Sequence, residues 1–126
     1  MSEKKRVLII DDEPDTLTFF ASVLTDNGYA VETAVNGEEG LEKSRSNKPD
    51  IITLDITMPE MSGVKFYRLM REEESLKSIP IVIITGISSD FEKFISSRSQ
   101  VPAPDGYLSK PIDEKDLLDK VRALIG

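Results

Sequence analysis

The 126-residue sequence contains no cysteine and no histidine. The first absence excludes a disulfide framework, thiol catalysis and iron–sulfur ligation. The second removes imidazole as a base, as a zinc ligand and as a phosphoryl carrier within this chain. Any bound metal must therefore be held by oxygen, which points to magnesium, calcium or manganese. Positive charge is also scarce: 16 basic against 23 acidic side chains leave a net charge of -7, so direct binding to a nucleic-acid backbone is not expected. Long apolar runs are missing too. The longest, Val7 to Ile10 and Ile81 to Ile84, are four residues each, too short to span a membrane. The charged opening Met1 to Arg6 is followed by an apolar stretch too short for a secretory signal. A soluble, cytoplasmic protein is expected, made of one domain over residues 1–126.

What is present alternates. Short apolar runs predict strands at Arg6–Ile10, Ala30–Ala34, Ile51–Leu54, Ile81–Ile84 and Gly106–Ser109. The first, third and fourth are nearly continuous, as central parallel strands covered on both faces should be. Between them lie helical stripes: Leu17, Phe20, Ala21 and Leu24, stopped by Asn27-Gly28; Phe66, Leu69 and Met70; Phe91, Phe94 and Ile95; and Leu117, Leu118, Val121, Leu124 and Ile125. Gly37 to Ser46 is a weaker helix, with Leu41 its one large apolar residue and a glycine at position 40 that costs about 1 kcal/mol against alanine. A crossover is nonetheless required there between successive parallel strands. Strand and helix alternating five times predict an α/β fold: a doubly wound, five-stranded parallel sheet in the order 2-1-3-4-5 with five helices, flavodoxin-like. In such sheets ligands bind beyond the carboxyl ends of the strands, at the switch point between strands 1 and 3.

Strand 1 runs into Asp11-Asp12-Glu13-Pro14. A nucleotide-binding fold would carry glycines there to bring backbone amides to phosphate. Carboxylates repel a bare phosphate unless a cation intervenes. The plain alternative is that Asp12 or Glu13 caps the next helix, with Pro14 in its first turn. Strand 3 ends in Asp55, which the topology brings beside Asp11 and Asp12. Three carboxylates in one crevice are costly without a divalent cation. Strand 4 ends in Thr85-Gly86 and strand 5 in Tyr107-Leu108-Ser109-Lys110-Pro111. An ammonium on Lys110 could pair with Asp55 or with a phosphoryl group on it. Each of these residues has an ordinary explanation alone: a turn, a strand end, a solvated lysine, a core tyrosine. Four of them on one rim point to a site.

The pattern resembles the CheY-like receiver domain of bacterial two-component response regulators. It rests on Val7-Leu-Ile-Ile-Asp-Asp-Glu-Pro14, Pro49-Asp-Ile-Ile-Thr-Leu-Asp-Ile-Thr-Met-Pro-Glu-Met-Ser-Gly63, Pro80-Ile-Val-Ile-Ile-Thr-Gly86 and Tyr107-Leu-Ser-Lys-Pro111. The resemblance implies that Asp55 is the phosphoacceptor, and that Asp11, Asp12, Asp55 and the backbone carbonyl of Thr57 hold Mg2+. It further implies that Thr85 is the switch hydroxyl, Lys110 its charge partner and Tyr107 the switching aromatic. The donor would be a sensor histidine kinase, a histidine phosphotransfer protein or a small phosphodonor. Phosphorylation would re-face the side made by strand 4, the Phe91–Ile95 helix, strand 5 and the last helix, for partner binding or phosphorelay.

Two departures stand out. Ser96 to Gly106, with Pro102 and Pro104, is a longer connection than the family's compact turn; it is either a tolerated surface insertion or a remodelled partner surface. Thr57, two residues after Asp55, is no general acid or base. This separates the chain from a haloacid-dehalogenase-type phosphatase, which carries a second aspartate at that spacing. A non-enzymatic signalling module is expected. The alternatives are a magnesium-dependent phosphatase with an aspartyl intermediate, and a phosphorylation-independent scaffold.

Overall fold

The computed structural model describes residues 4–55, 63–85 and 105–126. Within them run β1 (Arg6–Ile10), α1 (Pro14–Asp26), β2 (Ala30–Ala34), α2 (Gly37–Ser46), β3 (Ile51–Asp55), α3 (Gly63–Glu72), β4 (Ile81–Thr85), β5 (Gly106–Ser109) and α4 (Glu114–Ile125). The strands form one sheet in the order β2-β1-β3-β4-β5, and every pairing is parallel. This is the doubly wound arrangement expected from the alternation. The Phe91–Ile95 stripe, expected as a further helix, and the Pro102/Pro104 connection lie outside the described residues.

Continuous apolar strands serve two cores at once, because successive side chains point to opposite faces. Leu8, Ile10, Ile52, Leu54, Ile81 and Ile83 pack with Leu41 of α2 and Phe66, Tyr67 and Met70 of α3. Val7, Ile9, Ile51, Val82 and Ile84 pack with Phe20, Val23 and Leu24 of α1 and Leu117, Leu118 and Val121 of α4. Among the described residues no helix is long and apolar enough to cross a membrane.

Helix ends follow local chemistry. The Asn27-Gly28 stop of α1 closes as Gly28 N–H donates to the Thr25 carbonyl and Tyr29 N–H to that of Leu24, both at 3.1 Å. Gly28 takes φ +93°, which a side chain would resist. At α4 the Asp113 carboxylate accepts from Asp116 N–H at 2.8 Å. At α2 the Asn36 side chain accepts from Glu39 N–H at 2.8 Å, while Glu39 reaches back to Val35 N–H at 2.8 Å. This reciprocal cap explains why a stretch with so thin an apolar stripe is helical.

The thin stripe has a packing cause. The face that α2 buries consists of Gly37, Gly40, Leu41 and Ser44, so the helix seats closely because its contact residues are small. A Cβ on Gly40 would lie 2.5 Å from Ile10 Cδ1 and 3.3 Å from Phe66 Cε1, and both side chains are fully buried. Gly40→Ala gains helix propensity of about 1 kcal/mol, but overpacking costs typically 1–3 kcal/mol. The expected net result is a lower denaturant midpoint, by about 1 kcal/mol of stability; a higher midpoint would show the seat to be looser than its distances imply.

At the opposite rim, the chain returning into β5 is pinned. The Arg71 side chain, 6% exposed, pairs with Asp105 at 2.7 Å and donates to the carbonyls of Lys77 and Ile79, both at 2.8 Å. Asp105 also accepts from Ile81 N–H at 2.9 Å, and its own N–H donates to Ile81 O at 3.0 Å. Neither residue stood out in the sequence, since they are 34 positions apart.

Candidate functional site

The register decides which side chains meet. Ile10 stands opposite Leu54 in the β1–β3 pair, so the residues that follow, Asp11 and Asp55, come side by side at the carboxyl rim. Each has the strand parity of Val7, Ile9 and Ile51 and so belongs to the α1/α4 side of the sheet. Asp55 closes β3 and Thr85 closes β4; both strands run one residue further than their apolar runs. Polar residues at a rim continue the backbone ladder although they interrupt the hydrophobic signal.

Asp11 and Asp55 are buried, at 1% and 2% exposure, while Asp12 is exposed. One carboxylate oxygen from each of the three lies within 4.8 Å of the others. Asp11 Oδ1 accepts from Glu13 N–H at 2.9 Å. Its Oδ2 is buried without a hydrogen-bond donor among the described residues. A buried oxygen in that state is expensive unless something positive faces it.

Lys110 supplies part of that charge. Its Nζ lies 3.2 Å from Asp55 Oδ2, 3.2 Å from Glu13 Oε1 and 3.5 Å from Asp11 Oδ2. The Lys110–Pro111 peptide is cis. Burial opposes the charge on Lys110 most strongly, yet the facing carboxylates of Asp55 and Asp11 and the hydrogen bonds to Asp55 and Glu13 outweigh it, holding its pKa above the ordinary lysine value. For Asp11 burial dominates and pushes the carboxyl up to about 6. The charges of Asp55 and Glu13 add to that rise, against the Glu13 amide and Lys110. One ammonium therefore leaves the cluster short of positive charge.

The donor set fits a hard divalent cation. All the candidate ligands are carboxylate oxygens, one of them buried and under-satisfied, and the sequence holds no imidazole and no thiol. Asp11, Asp12 and Asp55 are the residues that could hold such an ion. Thr57, expected to add its carbonyl, lies outside the described residues, as does Gly86.

Among the other expected site residues, Thr85 stands opposite Ser109 on β5. Tyr107, opposite Ile83 one pleat lower, is half-buried against the core on the α2/α3 side. The sequence allows Glu13 as a cap of the first helix. It does occupy the N-cap position of α1, but its side chain makes no capping hydrogen bond and pairs with Lys110 instead. Nothing in the sequence signals this partnership across 97 positions. Beside the cluster runs a groove of about 480 Å³ lined by Glu13, Thr16, Phe19, Lys110, Pro111 and Ile112. Phe19, at 40% exposure, is one of two large apolar side chains left open among the described residues.

The profile of the response regulator receiver domain matches residues 7–122. The alkaline phosphatase synthesis transcriptional regulatory protein PhoP of Bacillus subtilis is 31% identical over 121 residues, 96% of this chain and 48% of PhoP. Protein PilH of Pseudomonas aeruginosa is 32% identical over 95% of this chain and 97% of its own length. The chain thus spans about half of PhoP and nearly all of PilH. Among solved structures, the chemotaxis protein CheY4 of Vibrio cholerae superimposes with a TM-score of 0.86 at 29% identity, covering 98% of this chain and all of CheY4.

Proposed function

The chain belongs to the response regulator receiver domain family of two-component signalling, and from that premise we propose that Asp55 is the residue on which it accepts a phosphoryl group. The observation that carries the reading is the placement of Asp55: a buried carboxylate at the sheet's switch point, 3.2 Å from a lysine ammonium and beside two more carboxylates. A carboxylate oxygen of Asp55 attacks phosphorus, an O–P bond forms, and the N–P bond of a phosphohistidine breaks with its electron pair leaving on the imidazole nitrogen. Lys110 pairs with the oxygens of the transferred group, which carries about -1.5 to -2 charge at neutral pH. Magnesium bound by Asp11, Asp12, Asp55 and the Thr57 carbonyl would offset the repulsion between the arriving phosphoryl oxygens and these carboxylates.

The phosphohistidine belongs to a sensor histidine kinase or a histidine phosphotransfer protein, and the groove along Phe19, Pro111 and Ile112 leads from the surface to Lys110. Thr85 is the switch hydroxyl. Tyr107, half-buried and two residues before Ser109, the strand partner of Thr85, is the aromatic that answers it. The β4–β5–α4 side then changes its face, a population shift with a named two-state element. The domain acts in the cytoplasm as a phosphoacceptor and not as a turnover enzyme.

Incubation with a small acyl phosphate and Mg2+ tests the reading. One acid- and base-labile phosphoryl group per chain, dependent on the cation, is the expected result. Repeated turnover of a simple phosphate ester without stoichiometric labelling would establish the phosphatase in its place.

A further inference from the structure

Glu13 stands where a helix-capping side chain belongs, yet does not cap. As the N-cap of α1 it has extended backbone and no side-chain hydrogen bond to the helix amides. Its side chain, 64% exposed, sends Oε1 to 3.2 Å from Lys110 Nζ, the same distance as Oδ2 of the buried Asp55. The ammonium is thus shared between a carboxylate at the mouth and a carboxylate at the floor. Only the second kind, Asp55 with Asp11, belongs to the oxygen set that could hold a divalent cation. An ammonium and a divalent cation on the same oxygens repel each other, so the ammonium needs somewhere to go.

We propose that Glu13 is a positioning residue, the berth that keeps the Lys110 ammonium at the mouth while Asp11, Asp12 and Asp55 hold a divalent cation. The inference rests on the reading of that carboxylate cluster as a cation site. Without the Glu13 charge, the carboxylates left facing the ammonium among the described residues are Asp55 and Asp11, and it competes with the cation for them. Glu13 then sets cation affinity through Lys110, beyond what its own field supplies. An exposed glutamate also gives up little when the ammonium leaves it for a phosphoryl oxygen, because a solvated ion pair is weak. It can hold the lysine without trapping it.

A double-mutant cycle tests this, with Mg2+ affinity read from amide NMR shifts along β1 and β3. Glu13→Gln should weaken Mg2+ binding about threefold, within the range one exposed ion pair supplies. In the Lys110→Met background, which keeps the apolar stem and removes the ammonium, the same substitution should change affinity by less than about 1.5-fold. An equal loss in both backgrounds would mean that Glu13 acts only through its own charge, and no loss in the parent would mean that it has no part; either overturns the inference while leaving the cation site standing. A parent protein that binds no Mg2+ would instead overturn the cation reading, and the role of Glu13 with it.

Discussion

Asp55→Asn should reduce phosphoryl uptake from an acyl phosphate to background while the domain stays folded. The substitution keeps the shape of the side chain and removes the anionic oxygen that attacks phosphorus, so the loss is one of chemistry and not of packing. Three carboxylates crowd this rim, and the structure separates them. Asp11 has one oxygen tied to the Glu13 amide, and Asp12 is exposed. Asp55 alone is both buried and hydrogen-bonded to the lysine. Lys110 keeps Glu13 and Asp11 within reach after the change, so the ammonium is not stranded. Mass spectrometry after labelling decides the matter. An unchanged yield of phosphorylated protein from the variant would remove Asp55 from its role, and reductive trapping would show which of the other two aspartates had taken it.

Asp11→Asn should make the domain more stable at pH 7 in the presence of a chelator. Burial, followed by the charge of Asp55, lifts the Asp11 carboxyl from 3.8 to about 6 in the folded protein. A raised carboxyl binds its proton more tightly folded than unfolded. Its stabilising contribution is therefore complete below about pH 4 and is lost as pH rises toward 6. A shift of that size corresponds to about 2–3 kcal/mol at neutral pH. Asparagine carries no such penalty and can still accept the Glu13 amide hydrogen bond. Denaturation curves at pH 4.5 and 7 should show the parent weakening between them by about 2 kcal/mol more than the variant. Millimolar Mg2+ should strengthen the parent at pH 7 and leave the variant unmoved, since ligand binding to the native state stabilises it. Equal pH slopes for the two proteins would show that Asp11 carries no such strain.

Much of this architecture is legible in the order of residues. Val7 to Ile10 and Ile81 to Ile84 announce buried parallel strands because only strands covered on both faces dispense with alternation. Once the strand order follows, the meeting of Asp11 with Asp55 is a matter of register. Helix α2 was harder to see. Its sequence carries the signal of a tightly seated helix, small residues at positions 37, 40 and 44, which a search for large apolar residues reads as weakness. The apolar runs stop one residue short of the ends of β3 and β4 for a related reason: at Asp55 and Thr85 the ladder outlasts the hydrophobic pattern. The Glu13–Lys110 and Arg71–Asp105 pairs were not legible at all. Each joins residues remote along the chain, and acidic or basic side chains have many solvated alternatives that sequence alone does not rank.

The anchorage of Asp105 by Arg71 and Ile81 has a consequence for how such a domain diversifies. Because the entry to β5 is gripped by Arg71 and Ile81, the place of Lys110 five residues later depends in part on side chains at the opposite rim from the carboxylates. Selection on the phosphoryl chemistry therefore extends to Arg71 and Asp105, which touch none of the carboxylates that carry it.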